Sequence, residues 1–182
     1  MHDEFLIRQV KEGQRNAFRL LVVRYQRALF RFLGGFGIEP AAVEELAQET
    51  FLRAYRSLAD WDASKSSFSS WLFTIAKHLA INESARSRRR RAHTEISPEL
   101  PNDTAALASD ALEVHERSHR LRAALQRVPQ LLRSALVLAY LKEHSLEEIA
   151  AIEDCSVGAV KSRIVRGKQH LLAAYLDMEK ST

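Results

Sequence analysis

Apolar side chains recur along this chain at steps of three and four residues almost without interruption, while the two-residue alternation of strands is nearly absent. The pattern predicts helices over about 3–12, 15–35, 40–59 and 69–91 in the first half. In the second half it predicts helices over about 110–127, 129–142, 146–153 and 157–178. Gly34, Gly35 and Gly37 followed by Pro40 close one helix and open the next. Ser145 with Glu148 three residues later makes a capping box at another start. Thr94 to Thr104 carries two prolines and no periodicity, the composition of a flexible tether. The expected fold class is all-α, two small helical domains joined by a flexible linker, with bounds at 1–93, 94–109 and 110–182.

Two predicted helices carry more than a core stripe. Over 40–59, Val43, Leu46, Ala47, Phe51, Ala54 and Leu58 form the face that turns inward. Glu45, Gln48, Glu49 and Leu52 share another face at i, i+3, i+4, i+7, with Leu52 roughly 160° from the centre of the stripe. An apolar side chain ringed by Glu and Gln suggests a protein contact, although single exposed leucines are common. In the last helix Val160, Ile164 and Leu171 fall on the side of Val157, and Ser162, Val165, Arg166 and Gln169 project oppositely. Lys161 and Arg163 occupy the flanks, where phosphates would lie. A short helix, a tight turn and a helix bearing hydroxyl, methyl, guanidinium and amide groups outward suit a duplex major groove. The competing assignment is a solvated amphipathic helix.

Composition narrows the class. With 182 residues, 46% hydrophobic and 27% charged, the chain has enough apolar material for packed cores and enough charge for a wetted surface. A formal charge of +4 is modest, but Arg86, Arg88, Arg89, Arg90 and Arg91 concentrate it, which points to an anionic partner at one place. The bland alternative is a helix end whose arginines favour the dipole. Cys155 is the only cysteine, so no internal disulfide or cysteine zinc site is expected. Met1 to Glu4 is acidic and unlike a signal peptide, and the apolar run from Ala135 to Leu141 falls far short of the roughly 20 residues a membrane span needs. No membrane insertion and a cytoplasmic location are expected.

Trp61 to Phe68 reads as a polar, serine-rich loop entering an aromatic-bearing helix. Downstream His78, Asn82 and Arg86 line up at i, i+4, i+8 and lead into the arginine cluster. Cations and an amide near aromatics suit single-stranded DNA, whose phosphates are neutralised while unstacked bases meet π-faces. For Phe68, Leu72 and Trp71 the alternative is core packing, and for Trp71 it is the stronger one. For Asn82 the alternative is a hydrogen bond within its own fold.

Together these segments resemble bacterial RNA polymerase sigma factors of the extracytoplasmic-function type. Ala17 to Tyr25 resembles the opening of the family's first domain, and Glu44 to Tyr55 its polymerase-binding helix. Phe68 to Asn82 followed by Arg86 resembles the segment that recognises and opens the −10 element, and Cys155 to Arg163 resembles the start of the −35 recognition helix. The resemblance implies a sigma region 2-like bundle over 1–93 and a region 4-like helix-turn-helix over 110–182. It places Glu45, Gln48, Glu49 and Leu52 on the clamp of the polymerase β′ subunit, with a further contact to the β flap region. It assigns Lys65, His78, Asn82, Arg86 and Arg89 to −10 DNA, with the loop from Trp61 to Phe68 capturing a base. It assigns Ser156, Lys161, Ser162, Arg163, Val165, Arg166 and Gln169 to −35 DNA. It also implies an anti-sigma factor as a regulatory partner.

The chain departs from the family pattern in the turn. Glu153 and Asp154 stand where Leu and Gly are frequent, and Ser156 where proline is common. Asp tolerates a left-handed turn and serine is a good N-cap, so the motif is expected to survive. Glu153 is expected to add a negative charge beside the DNA-binding helix. No segment resembles the extra central domain of primary sigma factors, so a minimal two-domain form is expected. Paired catalytic carboxylates, metal-ligand spacing, a nucleophile–base set and a phosphate-cradling loop are missing from the sequence, which predicts no enzyme, metal or cofactor. The rival functions are a stand-alone helix-turn-helix regulator and a helical adaptor that binds only protein.

Overall fold

A computed structural model describes residues 2–93, 109–141 and 144–180; the tether predicted at Thr94–Thr104 lies outside the described residues. The expected helices all appear: Asp3–Lys11 (α1), Asn16–Gly34 (α2), Pro40–Arg56 (α3), Phe68–His93 (α4), Ser109–Arg127 (α5), Gln130–Leu141 (α6), Leu146–Glu153 (α7) and Val157–Glu179 (α8). No strand occurs among the described residues. Pro40 starts α3 at a position where its missing N–H costs nothing. α3 stops earlier than its periodicity suggests, and Leu58–Asp60 forms a separate 3₁₀ turn. The Lys11 ammonium donates to the carbonyls of Ala59 (3.3 Å) and Trp61 (3.2 Å), tying that turn to α1. Leu58 nevertheless keeps the buried position its spacing gave it.

The first half packs around aromatic rings. Phe32 meets Phe36 and Phe73 edge-on at 5.1 and 5.3 Å between centroids, and Phe68 meets Tyr25, Trp61 and Trp71. Phe32, Phe68 and Phe73 are fully buried. Edge-to-face pairs of this kind contribute about 0.5–1.5 kcal/mol each beyond the area they bury.

The second half is a helix-turn-helix braced by α5 and α6. Ser145 Oγ accepts from Glu148 N at 3.1 Å while the Glu148 carboxylate accepts from Ser145 N at 2.9 Å, the reciprocal cap that starts α7. Asp154 takes the left-handed conformation (φ 50°, ψ 56°) that turns the chain, and Ser156 Oγ accepts from Ala159 N at 3.2 Å to start α8. Gly167 is buried where α8 crosses α6; a Cβ there would stand 3.1 Å from the Leu132 carbonyl oxygen, so the two backbones touch.

The two halves pack on each other. Leu138, Ile149, Ile152 and Val160 belong to the same buried cluster as Phe32, Phe68 and Phe73. α6 lies against α2, and α7 lies along the first turns of α4. At Gly35 a Cβ would come within 2.8 Å of a Val137 methyl, so the missing side chain lets the end of α2 seat against Val137.

Candidate nucleic-acid and protein interfaces

α8 carries the best-formed outward face. Val160 anchors its inner side, fully buried, and Ile164 and Leu171 are half-buried beside it. On the opposite side Val165, Arg166 and Gln169 are exposed, Val165 at 56%, and Lys161 is exposed on the flank. Ser162 is half-buried, and its Oγ accepts from Arg166 Nε (3.2 Å) and Nη2 (2.8 Å). That pair sets the guanidinium against the helix surface while leaving it in solvent. Ser156 is exposed and engaged as the N-cap.

Arg163 behaves differently. Its Nη1 lies 3.2 Å from Glu153 Oε2, and the Glu153 side chain is only 1% exposed. Ser134 Oγ donates to the other carboxylate oxygen. Glu153 was expected to put a negative charge near the DNA; instead it is buried, paired with Arg163 and hydrogen-bonded by Ser134, a brace between α6, α7 and α8. A buried carboxylate needs this pairing, because its desolvation is otherwise costly. Arg163 is the positive partner of that brace, so part of its charge is spent inside the fold. Ser134, invisible to periodicity inside an apolar run, is the residue sequence reasoning missed.

On α3, Glu45 and Gln48 are exposed, Leu52 is 42% exposed, and Glu49 is half-buried with its carboxylate 2.6 Å from Arg53 Nε. Tyr55, three residues past Leu52, is also exposed while its ring packs edge-on against Phe18. Residues three apart on a helix are neighbours, so Leu52 and Tyr55 make one apolar spot within the acidic face. The i+3 step from Leu52 was the signal for Tyr55 that the core-stripe count passed over.

The third face runs along α4. His78, Asn82, Arg86 and Arg89 are all exposed, and Asn82 has no protein hydrogen bond among the described residues. The side chains of Arg88, Arg90 and Arg91 lie outside the described residues. Lys65 is exposed in the loop before α4, 3.9 Å from Asp62. Ser64 donates to Asp62 through its N–H (2.9 Å) and its hydroxyl (2.8 Å), bonds that hold the Asp62 carboxyl below the usual range and fix the loop. The aromatics there serve the core: Trp61, Phe68 and Leu72 are buried and Trp71 half-buried. They support the loop from beneath, and do not stand out as stacking platforms.

Between these faces lies a polar seam where α7 meets α4. Lys77, itself buried, donates from Nζ to the Ile152 carbonyl at 2.6 Å, capping the C-terminal turn of α7 from across the chain. At the other end of α7, Ser67 and Ser70 hydroxyls reach Glu148 Oε1 at 2.7 and 3.5 Å. His144 Nε2 is 2.9 Å from Ser69 Oγ, and its ring meets Phe73 edge-on at 4.6 Å. Burial pushes the His144 pKa down, partly opposed by Glu148. Burial acts to raise Glu148, but hydrogen bonds from Ser145 and Ser67, with His144 and Ser70, hold its carboxyl below the usual range. Among the described residues no cluster of His, Cys, Asp and Glu could hold a metal ion, and no helix is long and apolar enough to cross a membrane.

Residues 21–91 match the family model "Sigma-70 region 2" and residues 118–171 match "Sigma-70, region 4". The chain is 35% identical to the ECF RNA polymerase sigma-E factor of Escherichia coli, over 92% of this chain and 91% of that one. It is 30% identical to the RNA polymerase sigma-H factor of Pseudomonas aeruginosa, over 92% and 90%. Among solved structures, CnrH in complex with the cytosolic domain of CnrY superposes with a TM-score of 0.71 at 27% identity, over 97% of both chains. The sigma factor RpoE of Bartonella quintana, solved with the anti-sigma factor NepR, shares the fold with a TM-score of 0.62 at 23% identity, over 86% and 95%.

Proposed function

The chain belongs to the sigma-70 family as a sigma factor of the extracytoplasmic-function type, binding core RNA polymerase and directing promoter-specific initiation, and we propose how its surfaces divide that work. The unit over 1–93 docks on the β′ clamp through Glu45, Gln48, Glu49 and Leu52, with Tyr55 extending the apolar spot. Lys65, His78, Asn82, Arg86 and Arg89 hold the −10 element as it opens. The unit over 110–182 grips −35 duplex through α8: Arg166, Gln169 and Val165 read base edges, Lys161 and Ser162 sit beside phosphates, and Ser156 caps the helix. Arg163 serves first as the partner of Glu153 and sets the angle at which α8 leaves the turn.

The observation that carries this reading is the outward, solvated placement of the α3 and α8 faces, one in each of the two matched regions. Side chains that are not committed to the core can meet a partner without any part of the chain unfolding. The chain acts by binding in the cytoplasm, without catalysis or a cofactor. Strand opening follows because capturing unpaired bases favours the open state, as any ligand favours the state it binds. The complex of the sigma factor RpoE of Bartonella quintana with its anti-sigma factor supports such a regulator here too.

Reconstitution with core polymerase on a promoter library tests the reading. New start sites, each with a shared −35 and −10 pattern, are expected only when chain and core are both present. Tight, selective binding of promoter duplex without core would favour the stand-alone regulator instead.

A further inference from the structure

Among the cations on α8, Lys161, Arg166 and Lys168 are exposed and Arg163 alone is half-buried. Helix geometry puts Lys161 on one flank of the reading face and Arg163 on the other. Phosphates lie along both flanks of a helix seated in a major groove. The Arg163 side chain is nevertheless only 23% exposed, with Nη1 3.2 Å from Glu153 Oε2. Glu153 closes α7 with its side chain 1% exposed, and Ser134 Oγ from α6 donates to the other carboxylate oxygen. A carboxylate held this way does not turn to water without breaking both bonds, so Arg163 has a fixed internal partner. A phosphate approaching that flank meets a guanidinium already paired, with an anion directly behind it.

Free and paired cations contribute differently to DNA binding. A lysine or arginine that neutralises a phosphate releases a condensed counterion, which adds affinity for every sequence alike and makes binding depend on salt. Contacts to base edges add affinity for one sequence only. Arg163 belongs to the first class by position, and the buried acid removes it from that class.

We propose that Glu153 is a specificity-determining residue of the −35 reader: it holds Arg163 off the DNA backbone and lowers the sequence-independent grip of α8. This rests on the assignment of α8 to −35 duplex given above. With a weaker backbone grip, a mismatched element falls below the affinity that initiation requires at a given polymerase concentration, while a matched one stays above it. The acid that stands where Leu is frequent in the family therefore limits one flank of the chain's own recognition helix.

The test uses the full chain assembled with core polymerase on promoter duplex. Glu153→Gln is expected to bind more tightly than wild type, by the same factor for matched and mismatched −35 elements, with a salt slope steeper by about 0.9. Its advantage should therefore grow about threefold between about 200 and 50 mM salt. At a polymerase concentration where wild type leaves mismatched promoters silent, the variant should start transcription from them. Adding Arg163→Ala to Glu153→Gln should abolish the gain. Weaker binding, an unchanged salt slope, or a gain that survives Arg163→Ala overturns the proposal and leaves Glu153 a purely structural brace. The wild-type chain supplies a readout that needs no variant. On adding −35 duplex, the guanidinium NMR signals of Arg163 should stay in place while those of Arg166 move. Arg163 signals that move as far as those of Arg166 also overturn it. If wild-type chain and core together recognise no −35 element, the assignment of α8 itself fails; if they recognise one and Arg163 is not released, only the role of Glu153 fails.

Discussion

The two halves of the chain are stabilised by different means. In the first, α1 to α4 close around Phe32, Phe68 and Phe73, large buried rings, with Phe32 edge to face on Phe73 and Phe68 edge to face on Trp61. In the second, the buried hydrophobic side chains among the described residues are aliphatic: Val128, Leu136, Leu138, Ile149, Ile152 and Val160, with several alanines. Its helices approach through small residues, as at Gly167, and through one buried charge pair, Glu153 with Arg163. Part of its apolar surface is covered by the first half and not by itself. The contrast teaches that the first half closes its own core around large rings, while the second half completes its core partly against the first.

The sharpest way to break that contrast is to empty the platform. Phe73 touches Phe32 on one side and His144 on the other. Phe73→Ala should cost about 3–5 kcal/mol of stability. Denaturant unfolding should show the transition moving to much lower concentration, with probes in the two halves shifting together because α7 loses its support. A loss confined to the first half would mean the second stands alone.

The next effect in size separates a brace from a contact. Arg163→Ala leaves the Glu153 carboxylate buried with only Ser134, which should cost about 3 kcal/mol in thermal unfolding. Adding Glu153→Gln should restore most of the stability by removing the stranded charge. If −35 binding returns with the fold in the double variant, Arg163 works through position. If the fold returns and binding does not, Arg163 touches DNA itself.

Smaller still is the cost of removing a reading group. Arg166→Ala should reduce discrimination between matched and mismatched −35 sequences by about 1–3 kcal/mol while leaving the melting temperature in place. Its exposed side chain bonds only to Ser162, so the fold loses little. On the platform, Leu52→Ala should weaken core polymerase binding by more than about 1 kcal/mol if the Leu52–Tyr55 spot is central to that interface. A pull-down of unchanged strength would remove the α3 face from the account.

Much of this was legible in the sequence because helix periodicity reports which side of each helix faces inward. The capping box at Ser145, the left-handed Asp154 and the inward stripe of α3 follow from local chemistry, and local chemistry is where a linear reading is strongest. The outward sets on α3, α4 and α8 are solvated as the same periodicity predicts. What it does not report is the partner of a buried polar group. Lys77 and Ile152 are 75 residues apart, as are Ser69 and His144, and neither pair has a spacing signal. Glu153 read as a surface charge because its two partners come from α6 and α8, whereas the core packing left open for Phe68 and Leu72, and favoured for Trp71, is what the structure has.

The smallest effect concerns how firmly the second half rests on the first at different pH. Burial holds the His144 pKa below its ordinary value near 6.5, so the ring is neutral where it meets Ser69 and Phe73. A parted or unfolded chain binds a proton at that ring more readily than the packed one, so the packed form is favoured as pH rises. The contribution is fully present above about pH 6.5 and fades as pH falls through the ordinary histidine range toward the depressed value. The charged groups near the seam work with and against this. Glu148 attracts a protonated His144, while the Lys77 ammonium lies at the other end of α7. Glu148 is itself held below its usual range, so its contribution is lost only at lower pH, and measurements kept above about pH 5 isolate the histidine. Wild-type chain carrying one dye on each half should therefore lengthen its separation as pH drops from 7.5 toward 5.5, and His144→Gln, which keeps a hydrogen-bonding side chain without the titration, should flatten the curve. Identical slopes for the two chains would take the histidine out of the seam's energetics and leave the lysine and the serines to hold it.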